Sequence, residues 1–186
     1  MDRRKALKNV ALLLGTAISS STIGVLFENF GVYESEKNQV SFSASDEEIL
    51  GEYADIIIPT TASSQGAKAA GLGAFIPMMV RDCYPANLQQ LFASGMKDML
   101  AKCQKDFNKD FMQLNAEERH KLMTDLTAEA IANKKKPSFF MIARDLTLLG
   151  YFSSEIGCTE AREYLPVPGR YDGNADYKPG QKAWAT

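Results

Sequence analysis

Lys68 lies among small residues in a loop that resembles, at first sight, a phosphate-binding loop. The loop belongs to the stretch DIIIPTTASSQGAKAAGL, residues 55–72, in which an apolar run ends at Pro59. A phosphate-binding loop needs the pattern GxxxxGK[ST] between a strand and a helix. Here Ala67 separates Gly66 from the lysine, no glycine stands at the required upstream position, and the preceding segment has helical periodicity. The pattern favours a helix end and a tight turn over a nucleotide site.

The other reactive side chains form no recognisable catalytic or metal-binding motif. His120, the single histidine, lies between two basic residues, and no GxSxG motif accompanies it as a Ser–His–acid triad would require. Cys83, Cys103 and Cys158 form no CxxC or CxxCH motif, which argues against a zinc, iron–sulfur or haem c site. No GxGxxG dinucleotide motif occurs. We therefore expect no catalytic residues, no metal and no cofactor in this chain.

Arg144 and Asp145 interrupt the otherwise apolar segment PSFFMIARDLTLLGYF. A helix that is apolar on nearly all sides is buried in a core or covered by a partner. Buried charges need an opposite charge nearby, so both residues are expected in ion pairs. The pairing could be internal to the domain, or it could reach a partner protein, and we count both residues as candidate partner contacts.

The elements that must position these residues are helices. The chain has 186 residues, of which 45% are hydrophobic and 24% are charged, and its net charge is −2, which gives no basic surface for nucleic acid. Apolar residues recur at helical spacing between residues 45 and 163. They predict an all-α fold of about five helices in one compact, bundle-like domain. Ser45 is the expected N-cap of the first helix, and Asn115 with Glu118 forms a capping-box pattern later in the chain.

Residues 164–186 predict an extended C-terminal arm, because proline, glycine and tyrosine dominate them. Tyrosine and tryptophan are frequent anchors at protein interfaces. The arm could therefore bind a partner, or it could fold back over its own domain. Its candidate partner contacts are Pro166, Pro168, Tyr171, Tyr177 and Trp184.

The N-terminal residues 1–27 have the layout of an export signal, with a basic head and an uncharged middle. Arg3 and Arg4 begin the run RRKALK, which resembles the twin-arginine motif of the machinery that exports folded proteins. A general secretion signal and an uncleaved anchor in the inner membrane are the alternatives. Residues 28–44 are expected to be a linker. An export signal for folded cargo, on a chain without a cofactor motif, predicts a periplasmic protein exported together with a partner.

Four stretches together resemble the gluconate 2-dehydrogenase subunit 3 family. They are ADIIIPTTASSQGAKAAG, FIPMMVRDCY, FFMIARDLTLLGYFSSEIG and EYLPVPGRYDG, in this order. The chain departs from the family pattern at Ser64 and Gln65, where a proline is expected, and at Ser153, where threonine is common.

The resemblance implies a small, cofactor-free subunit of a periplasmic or membrane-associated sugar dehydrogenase. The large partner would be a flavoprotein of the glucose–methanol–choline type that holds FAD, and a cytochrome c, with haem c, would accept the electrons. The small subunit would supply the export signal and act as a chaperone-like escort. Two other readings are a stand-alone periplasmic enzyme that uses Arg144, Asp145 or Glu155, and a solitary structural protein.

Overall fold

The computed structural model describes residues 40–133, 136–167, 169, 173–174 and 176–185. Within them the all-α prediction is confirmed: five α-helices form, and the only strand-like pairing is an isolated parallel bridge between Glu163 and Trp184. The helices are α1 (Ala44–Ile57), α2 (Leu72–Cys83), α3 (Ala86–Phe107), α4 (Ala116–Ala132) and α5 (Phe139–Ser153). A 3₁₀ turn, Phe111–Gln113, precedes α4, and a π-helical turn, Gly157–Ala161, follows α5.

Several predictions from the sequence lie outside the described residues. They are the export signal or anchor with Arg3 and Arg4, the linker up to residue 39, and the arm residues Pro168 and Tyr171. In the part of the chain that is described, no helix combines the length and the apolarity needed to cross a bilayer.

The first helix begins two residues earlier than its sequence suggests. Ser43 is the N-cap, since its Oγ accepts a hydrogen bond of 3.2 Å from the amide of Asp46. The Asp46 carboxylate accepts one of 2.8 Å from the amide of Ser43, which completes a capping box. Ser45 therefore lies inside the first turn, and its prediction as the cap is wrong. The capping box of Asn115 and Glu118 at the start of α4 is confirmed.

Helices α1 and α2 approach each other closely because a glycine faces the crossing point. A Cβ atom on Gly73 would lie 2.4 Å from the carbonyl oxygen of Glu47 and 3.3 Å from the Cα of Gly51. Any larger residue at position 73 would force the two helices apart. This close approach fixes the position of the loop that joins them, residues 58–71.

Helix α5 is the central helix of the domain, which is one of the two alternatives that its apolar sequence left open. It contacts α1, α2, α3 and α4, and its first residue, Phe139, belongs to an aromatic cluster in the core. The ring of Phe139 lies 4.9 Å from that of Phe92 and 5.4 Å from that of Tyr53, measured between centroids. Phe42 extends the cluster from the residues before α1, with its ring 5.8 Å from that of Phe92. Such aromatic contacts add to the stabilisation from burial.

Candidate functional site

The loop around Lys68 uses its backbone amides for its own structure. The amide of Ala67 donates to the carbonyl of Ile58 at 2.9 Å, and that of Gly66 donates to Thr60 Oγ1 at the same distance. The amide of Lys68 donates to Asp55 Oδ1 at 3.2 Å. A phosphate-binding loop needs such amides free to point at the ligand. The loop is therefore a helix end and a tight turn, as the sequence favours.

The ammonium group of Lys68 is also engaged. It pairs with the carboxylate of Glu52 on α1, and Arg119 Nη1 on α4 donates to the other carboxylate oxygen at 2.8 Å. Hydrogen bonds from Lys68, and then from Arg119, hold the pKa of Glu52 below its ordinary value. Arg119 also donates from Nε to the carbonyl of Leu114 at 3.0 Å. These three charged groups tie α1, the loop and α4 together.

Gln65 attaches the same loop to the end of the domain. Its backbone amide and its side-chain amide donate to the two carboxylate oxygens of Glu160, at 2.8 Å and 3.1 Å. Its carbonyl accepts a hydrogen bond of 2.7 Å from the hydroxyl of Tyr151 on α5. A proline at position 65 would have no amide hydrogen for Glu160. The amide hydrogen of Gln65, which the proline of the family pattern would lack, therefore binds Glu160 in this chain.

The remaining candidates for chemistry are not brought together. His120 is exposed on α4. The thiols of Cys83, Cys103 and Cys158 are all free, and burial in the core raises the pKa of Cys103. Across the described ranges, no three histidine, cysteine or carboxylate side chains are arranged to hold a metal ion.

Arg144 and Asp145 pair with each other at the surface. Arg144 Nη2 lies 2.7 Å from Asp145 Oδ1, and the two side chains are 43% and 57% exposed. The predicted pairing is confirmed, whereas the predicted burial of the charges is wrong. Helix α5 buries one side and exposes the other, and its sequence is too apolar on all sides to show which is which. Asp145 also lies close enough to Tyr84 to raise the pKa of its hydroxyl, after the larger effect of burial.

The exposed side of α5 carries apolar residues that were not predicted from the sequence as partner contacts. Leu148 and Leu149 are exposed, the latter to 54%, and Phe152 is half-buried one turn later. Asp145 and Met141 lie on the same side at helical spacing. No signal in the sequence identifies this side, because apolar residues surround nearly the whole helix and only the packing shows which of them are buried.

In the described part of the C-terminal arm, the last residues are hydrogen-bonded to residues just before its first. The amide of Glu163 donates to the carbonyl of Ala183 at 2.9 Å, and the amide of Ala185 donates to the carbonyl of Glu163 at 3.0 Å. The ammonium of Lys182 donates to the carbonyl of Glu160. The end of the arm therefore returns to its beginning.

Most apolar side chains in the described part of the arm nevertheless remain exposed, which keeps them as candidate partner contacts. Among the predicted ones, Pro166 is exposed, Tyr177 is 75% exposed and Trp184 is half exposed. Val167, which was not predicted, is 79% exposed.

An open groove of about 510 Å³ lies between α3, α4 and the start of α5. Its apolar wall includes Met99, Leu126 and Phe139, and the charged pair Lys102–Glu129 lies at its edge. The pairing occupies both charged groups. Asp98 and Ser138 also line the groove, and the hydroxyl of Ser138 is used as the N-cap of α5, where it accepts a hydrogen bond of 3.3 Å from the amide of Met141. The groove offers space without a catalytic arrangement.

These features define a small all-α protein whose polar loop residues serve its structure and whose helix α5 and arm expose apolar side chains. A family model described as gluconate 2-dehydrogenase subunit 3 matches residues 44–169. The chain therefore belongs to the gluconate 2-dehydrogenase subunit 3 family. Comparison with curated proteins and with solved structures found no match.

Proposed function

We propose that this chain is the non-catalytic small subunit of a periplasmic, FAD-dependent sugar or sugar-acid dehydrogenase. The observation that carries the proposal is membership of a family named for the third subunit of a dehydrogenase. In this proposal the catalytic partner is a flavoprotein of the glucose–methanol–choline type, and a cytochrome c with haem c accepts its electrons.

The chemistry of the described residues is consistent with an accessory role. Lys68 and Arg119 are both paired with the carboxylate of Glu52, and Arg144 is paired with its neighbour Asp145. A catalytic site instead needs polar groups that are held ready for a substrate. The alternative of a stand-alone enzyme that uses Arg144 and Asp145 is not supported, because these adjacent residues pair with each other at the surface.

The export role in the proposal rests on Arg3 and Arg4. The twin-arginine route accepts folded proteins, so a flavoprotein bound to this chain could cross the membrane with its FAD in place. The chain would then act as an escort that carries the address for both subunits.

Co-expression in a bacterium tests the escort role. A flavoprotein of the glucose–methanol–choline type from the same organism is produced alone, with the full chain, or with the Arg3→Lys/Arg4→Lys variant, and dehydrogenase activity is measured in periplasm and cytoplasm. Periplasmic activity is expected only with the unaltered chain, and the double variant is expected to leave an active complex in the cytoplasm. Full periplasmic activity of the flavoprotein alone would rule out the escort role.

A further inference from the structure

An apolar strip runs along the exposed side of α5 and continues into the start of the arm. Its two parts are joined by Arg162, whose guanidinium carbon lies 4.7 Å from the centroid of the Phe152 ring. Arg162 is followed within two residues by an exposed apolar segment. We define the apolar strip as Leu148, Leu149, Phe152, Tyr164, Leu165 and Val167.

The composition of the strip is unusual for a surface that only faces water. Tyr164, Leu165, Pro166 and Val167 are four consecutive exposed residues, none of them charged. Isolated exposed leucines need no explanation, but contiguous exposed apolar residues mark binding surfaces or aggregation-prone segments. A molecule that covered the strip would remove its apolar side chains from water, which is energetically favourable.

The charges beside the strip indicate what kind of molecule this is. Three positive side chains, Arg144, Arg162 and Lys182, stand against four negative ones, at positions 145, 155, 160 and 163. Arg144 is already paired with Asp145, and Lys182 is bound to a backbone carbonyl. A surface that binds anionic lipids carries an excess of basic residues, and a strongly charged partner would need unpaired charges of the opposite sign. The charges beside the strip therefore favour a partner protein that presents an uncharged, apolar patch to it.

We propose that the apolar strip is the surface on which the flavoprotein subunit docks. This inference rests on the proposed function, which supplies a partner of this chemistry. The whole strip lies inside residues 44–169, the part of the chain that matches the family. Tyr177 and Trp184 lie beyond that part, so the strip is the surface expected to carry most of the binding, with the end of the arm as an addition.

Binding measurements with single substitutions test the strip directly. The full chain and its Leu149→Glu and Val167→Glu variants are titrated, by isothermal calorimetry, into a purified FAD-containing flavoprotein of the glucose–methanol–choline type from the same organism. The matched control is Ile131→Glu, because Ile131 is 57% exposed at the end of α4 and lies outside the strip. Each strip variant is expected to raise Kd at least about 30-fold, the size of a hot-spot loss. The control is expected to stay within about threefold of the unaltered chain, as distant surface changes do.

Each outcome of this experiment supports or overturns the inference. Thermal unfolding of all variants is recorded first, and equal Tm values assign any loss of binding to the surface itself. If the unaltered chain binds and both strip variants bind equally well, the strip is not the docking surface, although the proposed function stands. If the unaltered chain does not bind the purified flavoprotein, the proposed function fails and the inference with it.

Two further measurements address other occupants of the strip. Light scattering of the chain alone is expected to give a monomer. A dimer that Leu149→Glu abolishes would assign the strip to a second copy instead. Flotation with vesicles of phosphatidylethanolamine and phosphatidylglycerol is expected to leave the chain unbound, and flotation that Val167→Glu abolishes would assign the strip to the membrane.

Discussion

The hydroxyl of Tyr151 donates a hydrogen bond of 2.7 Å to the backbone carbonyl of Gln65. These residues are 86 positions apart, and their contact joins the central helix α5 to the loop between α1 and α2. The buried hydroxyl of Tyr53 differs, because it has no hydrogen-bond partner among the described residues. The two tyrosines therefore form a natural pair for measuring what the Tyr151 contact contributes.

Tyr151→Phe is expected to lower the free energy of unfolding by about 1–2 kcal/mol, because the carbonyl of Gln65 loses its donor. Tyr53→Phe is expected to be neutral or to stabilise the protein by up to about 1 kcal/mol, because it removes a buried hydroxyl without a partner. Urea unfolding of both variants measures the difference. A loss of more than about 1 kcal/mol in Tyr53→Phe would show that its hydroxyl is satisfied after all.

Local signals in the sequence were sufficient to predict most of the helical fold. Pro59 ends α1, Asn115 caps α4, and apolar periodicity identifies the buried side of α3. Each of these signals acts over a few residues, which is why it can be read from the sequence alone. The cap of α1 was misplaced because Ser43 and Ser45 both precede acidic residues by three positions, and only the backbone geometry distinguishes them.

Long-range contacts could not be predicted in the same way. Nothing in the sequence joins Gln65 to Glu160, or Glu52 to Arg119, because these pairs depend on how the helices cross. The exposed side of α5 was missed for a related reason. A helix that is apolar on nearly all sides has a weak amphipathic signal, so the packing of its neighbours decides which leucines face water.

Gly66→Ala tests whether the loop needs a glycine for its close backbone contacts. A Cβ atom at this position would lie 2.3 Å from Asp55 Oδ1 and 2.6 Å from the amide nitrogen of Thr60. The loop would have to open, and the expected loss of stability is about 1–3 kcal/mol. Gly169→Ala is the matched control, since no atom of the described residues lies within 4 Å of a Cβ at that position, its chain neighbours aside. Equal unfolding midpoints for the two variants in urea would contradict the role assigned to Gly66.

Glu52→Gln is expected to lower the free energy of unfolding at neutral pH. Below neutral pH, the free energy of unfolding of this variant is expected to depend less on pH than that of the unaltered chain. The pKa of Glu52 lies below its ordinary value of 4.5 in the folded protein, because Lys68 and Arg119 bind its ionised form. The ionised carboxylate therefore stabilises the fold above pH 4.5, and this contribution is lost as the pH falls from 4.5 through the folded-state pKa. The expected loss in the variant is about 1–2 kcal/mol at pH 7, with allowance for the exposure of Lys68.

Urea unfolding at several pH values between 7 and 3 checks this prediction. The stabilities of the unaltered chain and of Glu52→Gln are expected to converge below pH 4.5. Glu48→Gln provides the control, because Glu48 is exposed on α1 one turn before Glu52. A gap between Glu52→Gln and the unaltered chain that stays constant down to pH 3 would mean that the ion pairs do not stabilise the fold.

The three free thiols are expected to react with Ellman's reagent at very different rates. Cys83 is exposed at the end of α2, Cys158 is half-buried, and Cys103 is fully buried in the core. Burial also raises the pKa of Cys103, so less of the reactive thiolate is present at pH 8. We expect a fast phase of the reaction that is absent in Cys83→Ser. We also expect a slow phase, assigned to Cys103, whose rate is the rate at which the core opens. Rapid modification of all three thiols in the folded protein would show that the core around Cys103 opens more readily than its packing implies.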